Sequence, residues 1–294
     1  MRPPRRKTPQ MPTPTYQLPA FLFVPGDDDR KLAKSLQGQA DTLIFDLEDA
    51  VAARDKPAAR TRVATALDCD SDKKRFVRVN GLTTGWTEAD LAAIVPAAPD
   101  GYVLPKCEGP EDIDRLAGAI ARLGGATEGR VLAIATETAR AVRNLVRADW
   151  SHDALFGLTW GGEDLSADLG CTQNRQPSGR YHSVFTQARD HTLLAAREAG
   201  VFAIDAVFPS FRDTTGLQEE ASEACVLGFD GKMAIHPAQI APIQAAFRPS
   251  ADQVAWARRV VERLDASASG VAEIDGHMLD RPHLLAAQRL LSRL

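Results

Sequence analysis

The stretch YVLPKCEGPEDIDRLAGAIARLGGATEGRVLAIATETARAVRNLVRADWSHDALFGL, residues 102–158, holds three short β-rich runs separated by two helical patterns. The runs are 102–104, 131–135 and 154–158, and the segments between them, 113–123 and 139–147, space their apolar residues by three and four. That spacing puts the apolar side chains on one face of a helix, which then packs against a sheet. Strand followed by helix followed by strand implies parallel strands joined by crossovers. The same alternation continues outward on both sides. Further β-rich runs lie at 21–24, 42–45, 75–79, 201–204 and 232–235, with helical patterns at 184–198 and 217–227. Eight parallel strands are the number that closes a (β/α)8 barrel. The competing open doubly wound sheet lacks its Gly-rich G-x-G-x-x-G turn here. The expected class is therefore α/β, a TIM barrel over residues 18–248 with a C-terminal helical extension and lid over 249–294.

The extension reads as an amphipathic helix over 252–264, with Ser250 as its N-cap. A flexible Ser/Gly-rich stretch at 267–270, a turn at Asp275-Gly276 and a final helix from about Pro282 follow. This exceeds what eight βα units need, so it is expected to pack on the barrel or on a neighbouring subunit. At the other end, residues 1–17 mix Arg2, Arg5, Arg6 and Lys7 with five prolines. That composition forbids a helix and offers little to bury, so a disordered tail is expected.

The chain has 294 residues, 44% of them hydrophobic and 25% charged, with a net charge of -4. Such a balance gives no electrostatic case for nucleic acid as a partner. No apolar run approaches the ~20 residues of a membrane span, and no apolar stretch follows the basic N-terminal residues as a signal peptide requires. A cytoplasmic protein is the expectation. The four cysteines form no C-x-x-C pair and the six histidines show no zinc spacing, which argues against a disulfide framework, structural zinc or a redox metal.

Barrel enzymes carry their chemistry on the loops at the carboxyl ends of the strands. Here those ends are heavily charged. The second strand runs into Asp46, Glu48 and Asp49; the third holds Arg78 and ends at Asn80; Lys106 and Glu108 follow the fourth. Glu137 follows the fifth, Glu163 and Asp164 the sixth, Asp205 ends the seventh and His236 the eighth. A single such residue is more often a helix cap or a solvated turn. Repeated at seven consecutive strand ends, the pattern predicts carboxylates converging on one rim, where they repel unless cations offset them. Arg78, Lys106 and a divalent metal would supply that offset. Magnesium (Mg2+) fits best, because it takes oxygen ligands and uses only one or two protein carboxylates.

Local motifs then become recognisable. Phe23-Val24-Pro25-Gly26, Phe45-Asp46-Leu47-Glu48-Asp49-Ala50-Val51, Arg78-Val79-Asn80 and Leu104-Pro105-Lys106 occur in order, followed by Glu137-Thr138-Ala139 and Gly161-Gly162-Glu163-Asp164. Ala203-Ile204-Asp205, Ile235-His236-Pro237 and Asp275-Gly276-His277-Met278-Leu279-Asp280 complete the series. Together these blocks resemble the HpcH/HpaI aldolase and citrate lyase β-subunit superfamily over nearly everything after about Leu18. The resemblance implies a magnesium-dependent lyase that cleaves or forms a carbon–carbon bond beside a thioester by retro-Claisen chemistry. The implied substrates are an acyl-CoA or acyl-carrier thioester (malyl, citramalyl, methylmalyl or citryl), with a keto acid as the other fragment.

Carried over position by position, Glu137 and Asp164 look like the metal ligands. Arg78 looks like the grip on a substrate carboxylate or developing enolate oxygen, with Lys106, Gly162 and Glu163 also facing substrate. Asp46 and Glu48 look like catalytic helpers that orient metal-bound water. For Lys106 a salt bridge to Glu108 or Glu137 is an equal alternative. Asp280 looks like the catalytic carboxylate that stand-alone acyl-CoA lyases of this family insert from a neighbouring subunit of a homotrimer. Two features depart from the family. Pro19-Ala20 stand where many relatives carry a basic residue before the first strand, leaving Arg30, Lys31 and Lys34 as substitutes for CoA phosphates. Gly179-Arg180-Tyr181, expected to open the long helix after the sixth strand, matches no known pocket. An acyl-CoA thioesterase, a pyruvate-type aldolase and a non-catalytic subunit of a lyase complex are the competing readings.

Overall fold

Eight strands of four to six residues lie side by side, all parallel, and the eighth pairs with the first to close the barrel. They are β1 (Ala20–Pro25), β2 (Thr42–Asp46), β3 (Lys74–Arg78), β4 (Gly101–Leu104), β5 (Val131–Ile134), β6 (Leu155–Thr159), β7 (Phe202–Asp205) and β8 (Gly231–Ala234). This computed structural model describes residues 19–267 and 269–294; the expected tail at 1–17 lies outside the described residues. Each β-rich run read from the sequence is a barrel strand. Among the described residues no helix is long and apolar enough to cross a membrane.

The barrel interior is filled from every strand. Phe21, Ile44, Phe76, Val103, Leu132, Ile134, Ile204 and Met233 form one buried cluster, and Phe156 of β6 packs against it. The rings of Phe76 and Phe156 lie 5.1 Å apart and tilted, a favourable aromatic arrangement. Side chains alternate across a strand, so residues two apart share a face. Asp46 lies two beyond Ile44 and Arg78 two beyond Phe76, so both face the barrel axis at its carboxyl end. Asp205 lies one beyond Ile204 and Lys232 one before Met233. Those two therefore face outward, into the layer of helices.

The chain divides into two compact units, one ending at Ala246 and one running from Phe247 to Leu294. The second has its own core, with Ala257, Val260, Leu264, Ile274, Leu279 and Ala287 buried together. Its helix Ala251–Asp265 begins at Ser250, whose hydroxyl accepts from the Gln253 N–H in a capping box. Between this helix and the helix Arg281–Leu291 lies an antiparallel hairpin, β9 (Ala272–Ile274) and β10 (His277–Leu279). The sequence reading places a turn at Asp275-Gly276 but not the two strands that flank it. The two turn residues, Asp275 and Gly276, have φ of 53° and 80°, the paired positive values that Asp-Gly supplies to a tight hairpin. Strands of three residues are too short to show a period.

A second difference concerns the segment after β6. A short helix, Gly162–Asp168, comes first, and the long helix runs from Ser183 to Ala199. Gly179, Arg180 and Tyr181 do not open that helix. They lie in the preceding loop, where Arg175 and Tyr181 pair as an isolated antiparallel bridge.

β6 approaches β7 closely enough at Gly157 to exclude any side chain, since a Cβ there would lie 2.6 Å from the Phe202 carbonyl oxygen. Gly157→Ala is expected to destabilise the barrel by about 1–3 kcal/mol, as overpacking against backbone does. Denaturant unfolding monitored by near-UV dichroism checks this; an unchanged midpoint would mean that the two strands separate without strain.

Candidate active site

The mouth of the barrel is organised by one cross-strand ion pair. Asp46 and Arg78 are direct register partners on β2 and β3. The Arg78 Nε and Nη2 donate to the two Asp46 oxygens at 2.8 and 2.7 Å, the parallel two-bond geometry in which guanidinium binds carboxylate best. Asp46 also accepts from the backbone N–H of Glu48 and Ala50 at 2.9 and 3.1 Å, so it shapes the turn that follows its own strand. The Arg78 Nη1 lies 3.0 Å from Glu48 Oε2, and its guanidinium sits 4.8 Å from the Phe23 ring centroid. Burial opposes the Arg78 charge, but the neighbouring Asp46, Glu48 and Asp49 outweigh it and raise its pKa.

Beneath this turn Lys56 donates to the Leu47 and Glu48 carbonyls, and Asn80 donates to the Leu47 carbonyl and to Asp90. Asp90 in turn pairs with Arg60 at 2.7 Å. Asn80 is thus a support for the loop and not part of the rim.

Lys106 joins the two sides of the mouth. Its ammonium lies 2.8 Å from Glu48 Oε1 and 3.4 Å from Asp164 Oδ1, while its backbone N–H donates to Glu137 Oε2. Of the two salt bridges that the sequence left open, the one to Glu108 does not form. Glu108 instead accepts from the Thr138 hydroxyl at 2.9 Å and lies 3.6 Å from Arg140. Glu137 makes its bond to Lys106 through the backbone, not the side chain.

Glu137 is 4% exposed. Burial, reinforced by the charges of Asp164 and Glu48, pushes its pKa up to about 8. Burial also raises the Glu48 pKa, in spite of Arg78 and Lys106. A cleft of about 450 Å³ opens above these groups, lined by Phe23, Asp46, Arg78, Glu137, Trp160 and Asp164 among others. Gly162 and Glu163 line it too. Glu163 accepts from the Asn174 amide at 2.8 Å and is tied to the loop before the long helix.

Glu137 and Asp164 suit a small hard cation. Both supply oxygen, the donor type that hard cations take. Among the described residues no group of three or more His, Cys, Asp or Glu is placed to hold a metal. Two carboxylates are the sparse kind of ligand set that magnesium uses while keeping waters.

Not every charged strand end belongs here. Asp205 faces away from the mouth and is fully buried, accepting from Trp160 Nε1 at 2.7 Å, Arg189 Nε at 3.0 Å and Lys232 Nζ at 2.8 Å. Burial opposes its charge, but Lys232 and Arg189 hold its pKa below the usual range. His236 caps the short turn Pro237–Gln239 and stacks on Phe211 at 4.7 Å. Asp280 belongs to the second unit, where it begins the helix Arg281–Leu291 and lies 2.6 Å from His283 Nδ1. Lys31 pairs with Asp28 at 3.4 Å, while Arg30 and Lys34 are exposed. The sequence reading missed Trp160 and Arg175, whose partners lie 45 residues away in the chain, and Lys56, which donates to the nearby Leu47 and Glu48 carbonyls.

The sequence profile of the HpcH/HpaI aldolase/citrate lyase family matches residues 20–237. The citrate lyase subunit beta-like protein of Mycobacterium tuberculosis (strain CDC 1551 / Oshkosh) is 38% identical over 276 residues, spanning 94% of this chain and 95% of the relative. A (3S)-malyl-CoA thioesterase of Cereibacter sphaeroides (strain KD131) is 35% identical over 93% of each chain. The crystal structure of the protein CitE from Mycobacterium tuberculosis, in complex with magnesium, acetoacetate and coenzyme A, superposes with a TM-score of 0.80 at 37% identity, covering 94% of this chain and 97% of that one. With a family match across the whole barrel and relatives of this identity over almost the full length, the chain belongs to the HpcH/HpaI aldolase/citrate lyase family.

Proposed function

We propose that this protein is a magnesium-dependent carbon–carbon lyase that cleaves, or in reverse forms, a β-hydroxyacyl thioester such as malyl-, citramalyl- or citryl-CoA. The observation that carries the reading is the meeting of Glu137, Asp164 and a fixed Arg78 around one cleft. Glu137 and Asp164 would hold the metal. Magnesium, when bound, supplies Lewis-acid stabilisation of negative charge on oxygen. Arg78 is held by Asp46 and Glu48, which leaves its outer N–H groups to grip a substrate carboxylate or a developing enolate oxygen. Asp46 and Glu48 thereby act as orienting residues. Lys106, Gly162 and Glu163 line the path of the thioester arm.

In the cleavage direction the hydroxyl proton leaves as the bond between the α and β carbons breaks. The electron pair moves onto the thioester as an enolate, whose carbon then takes up a proton, giving a keto acid and a shorter acyl thioester. Asp280 serves as the general acid/base, delivered by a neighbouring copy in a closed homotrimer, since a head-to-tail contact must close or polymerise. The second reading is thioester hydrolysis, favoured by the 35% identity to a (3S)-malyl-CoA thioesterase. Product analysis with a panel of these CoA esters, with and without magnesium, separates the two. Free CoA with intact hydroxy acid means hydrolysis; keto acid with a shorter acyl-CoA means cleavage; no turnover of any ester overturns both.

Glu137→Ala and Asp164→Ala should each weaken magnesium binding and nearly abolish turnover, while the barrel stays folded. A cation binds the carboxylate and not the acid, so wild-type affinity should rise with pH and level off above about 8, where Glu137 is ionised. Calorimetry giving a flat pH profile, or unchanged affinity in both variants, would remove the metal from this pair. For Arg78→Lys, loss of the paired N–H geometry should lower kcat/KM by a factor of about 30–1000; a near-normal value would make Arg78 purely structural. Co-expressed Asp280→Ala and Glu137→Ala subunits should regain activity if the sites are shared between copies. Verified mixed oligomers that stay inactive would rule sharing out.

A further inference from the structure

The loop between the helices Gly162–Asp168 and Ser183–Ala199 is fastened to the barrel wall by a closed circuit of contacts. Trp160 Nε1 donates to Asp205 at 2.7 Å, and Lys232 Nζ reaches Asp205 and Glu220 at 2.8 Å each. Glu220 accepts from Arg175 Nη1 at 2.7 Å, and the Arg175 guanidinium lies 3.7 Å from the Tyr181 ring centroid while donating to its hydroxyl. The Tyr181 ring then meets the Trp160 indole edge-on at 4.9 Å, which closes the circuit. Arg189 joins it, bonding Asp205 and, at 2.7 Å, Glu223. Arg175, Arg189 and Lys232 thus balance Asp205, Glu220 and Glu223.

Asp205, Arg189 and Lys232 are buried, and burying charges is a poor way to gain stability, because desolvation offsets most of the attraction. What the circuit does provide is position. It ends on Trp160, immediately before the turn Gly161–Gly162–Glu163–Asp164, and grips the indole from both sides: Asp205 at its nitrogen, Tyr181 at its ring. The same loop reaches the far side of Gly162 as well, through Asn174 to Glu163 at 2.8 Å. Gly162 lies under that loop, since a Cβ there would touch Trp160 and Tyr181 at 3.4 and 3.5 Å.

We propose that Arg175 is a positioning residue for the metal-holding turn: by seating Tyr181 on Trp160 it sets where Asp164 stands relative to Glu137. The inference rests on the assignment of Glu137 and Asp164 to magnesium. Arg175 itself touches neither carboxylate and acts at a distance through two aromatic rings.

Magnesium titration by calorimetry, without substrate, tests it on the full chain, with the thermal midpoint recorded for each variant. Arg175→Met and Tyr181→Leu should each weaken magnesium binding by about tenfold, the scale on which supporting groups around a metal act. Tyr181→Phe, which keeps the ring on the indole, should retain most of the affinity, and Arg175→Lys should fall between. Tyr181→Leu leaves all six charges in place, so it stands in if Arg175→Met does not fold. Wild-type affinity in folded Arg175→Met or Tyr181→Leu would overturn the inference alone. Absence of magnesium binding by the wild-type protein would overturn the metal assignment and this inference with it.

Discussion

Charge at the barrel mouth is out of balance, and much of the rest of the site follows from that. Asp46, Asp49, Glu137, Glu163 and Asp164 line the cleft, with Glu48 beside them, and among the described residues Arg78 and Lys106 oppose them from the mouth and Lys56 from beneath the turn. Asp46 is answered by the two bonds from Arg78, and Glu48 by Arg78 and Lys106. Glu137 is left with a backbone N–H and a distant ammonium, and its pKa climbs to about 8. On the outer side of the same barrel, Asp205, Glu220 and Glu223 are met one for one by Lys232, Arg175 and Arg189. Asp205 there is depressed, not raised. The balanced cluster reads as scaffold. The unbalanced one reads as a place that takes up positive charge, because strongly perturbed carboxyls gather where chemistry is done.

Which cluster a charged residue joins is decided by the parity of the strand. The barrel alternates its side chains, so one residue of displacement moves a group from the mouth to the wall. Asp46 and Arg78 fall on the parity of Ile44 and Phe76, whereas Asp205 and Lys232 fall on the opposite one. Each set therefore meets surroundings of a different kind: the open cleft in one case, helix side chains in the other.

This also explains what the sequence could and could not reveal. The strands were legible because apolar runs and helical spacing are local signals, and eight of them leave few ways to close. Glu137 and Asp164 were legible as polar residues just past strand ends. Counting strand ends puts Asp205 on the same rim because it ignores parity; the apolar Ile204 beside it shows which way it points. His236, one of the polar strand ends, is a turn cap. Trp160 and Arg175 were invisible: an indole beside two glycines and an arginine in a polar loop acquire meaning only from Asp205 and Glu220, some 45 residues further along. The hairpin of the second unit was half legible, its Asp-Gly turn clear and its three-residue strands not.

Lys106 brings the two halves of the imbalance together, and its backbone records the strain of doing so. With φ of 52° it occupies the left-handed region, which side chains other than glycine adopt at a cost of order 1–2 kcal/mol. In that conformation its N–H points at Glu137 while its side chain spans from Glu48 to Asp164. Glycine would relieve the strain but lose the ammonium, and a relaxed lysine would withdraw the N–H from the buried carboxylate. One residue is therefore held in an uncommon shape because two separate groups, a peptide N–H and a cation, are needed at the same point. Such strain persists only where the surroundings over-determine it. Here they do, through Cys107, whose N–H is held by the Ile134 carbonyl at 3.2 Å, and through the two carboxylates that grip the ammonium from opposite walls of the cleft.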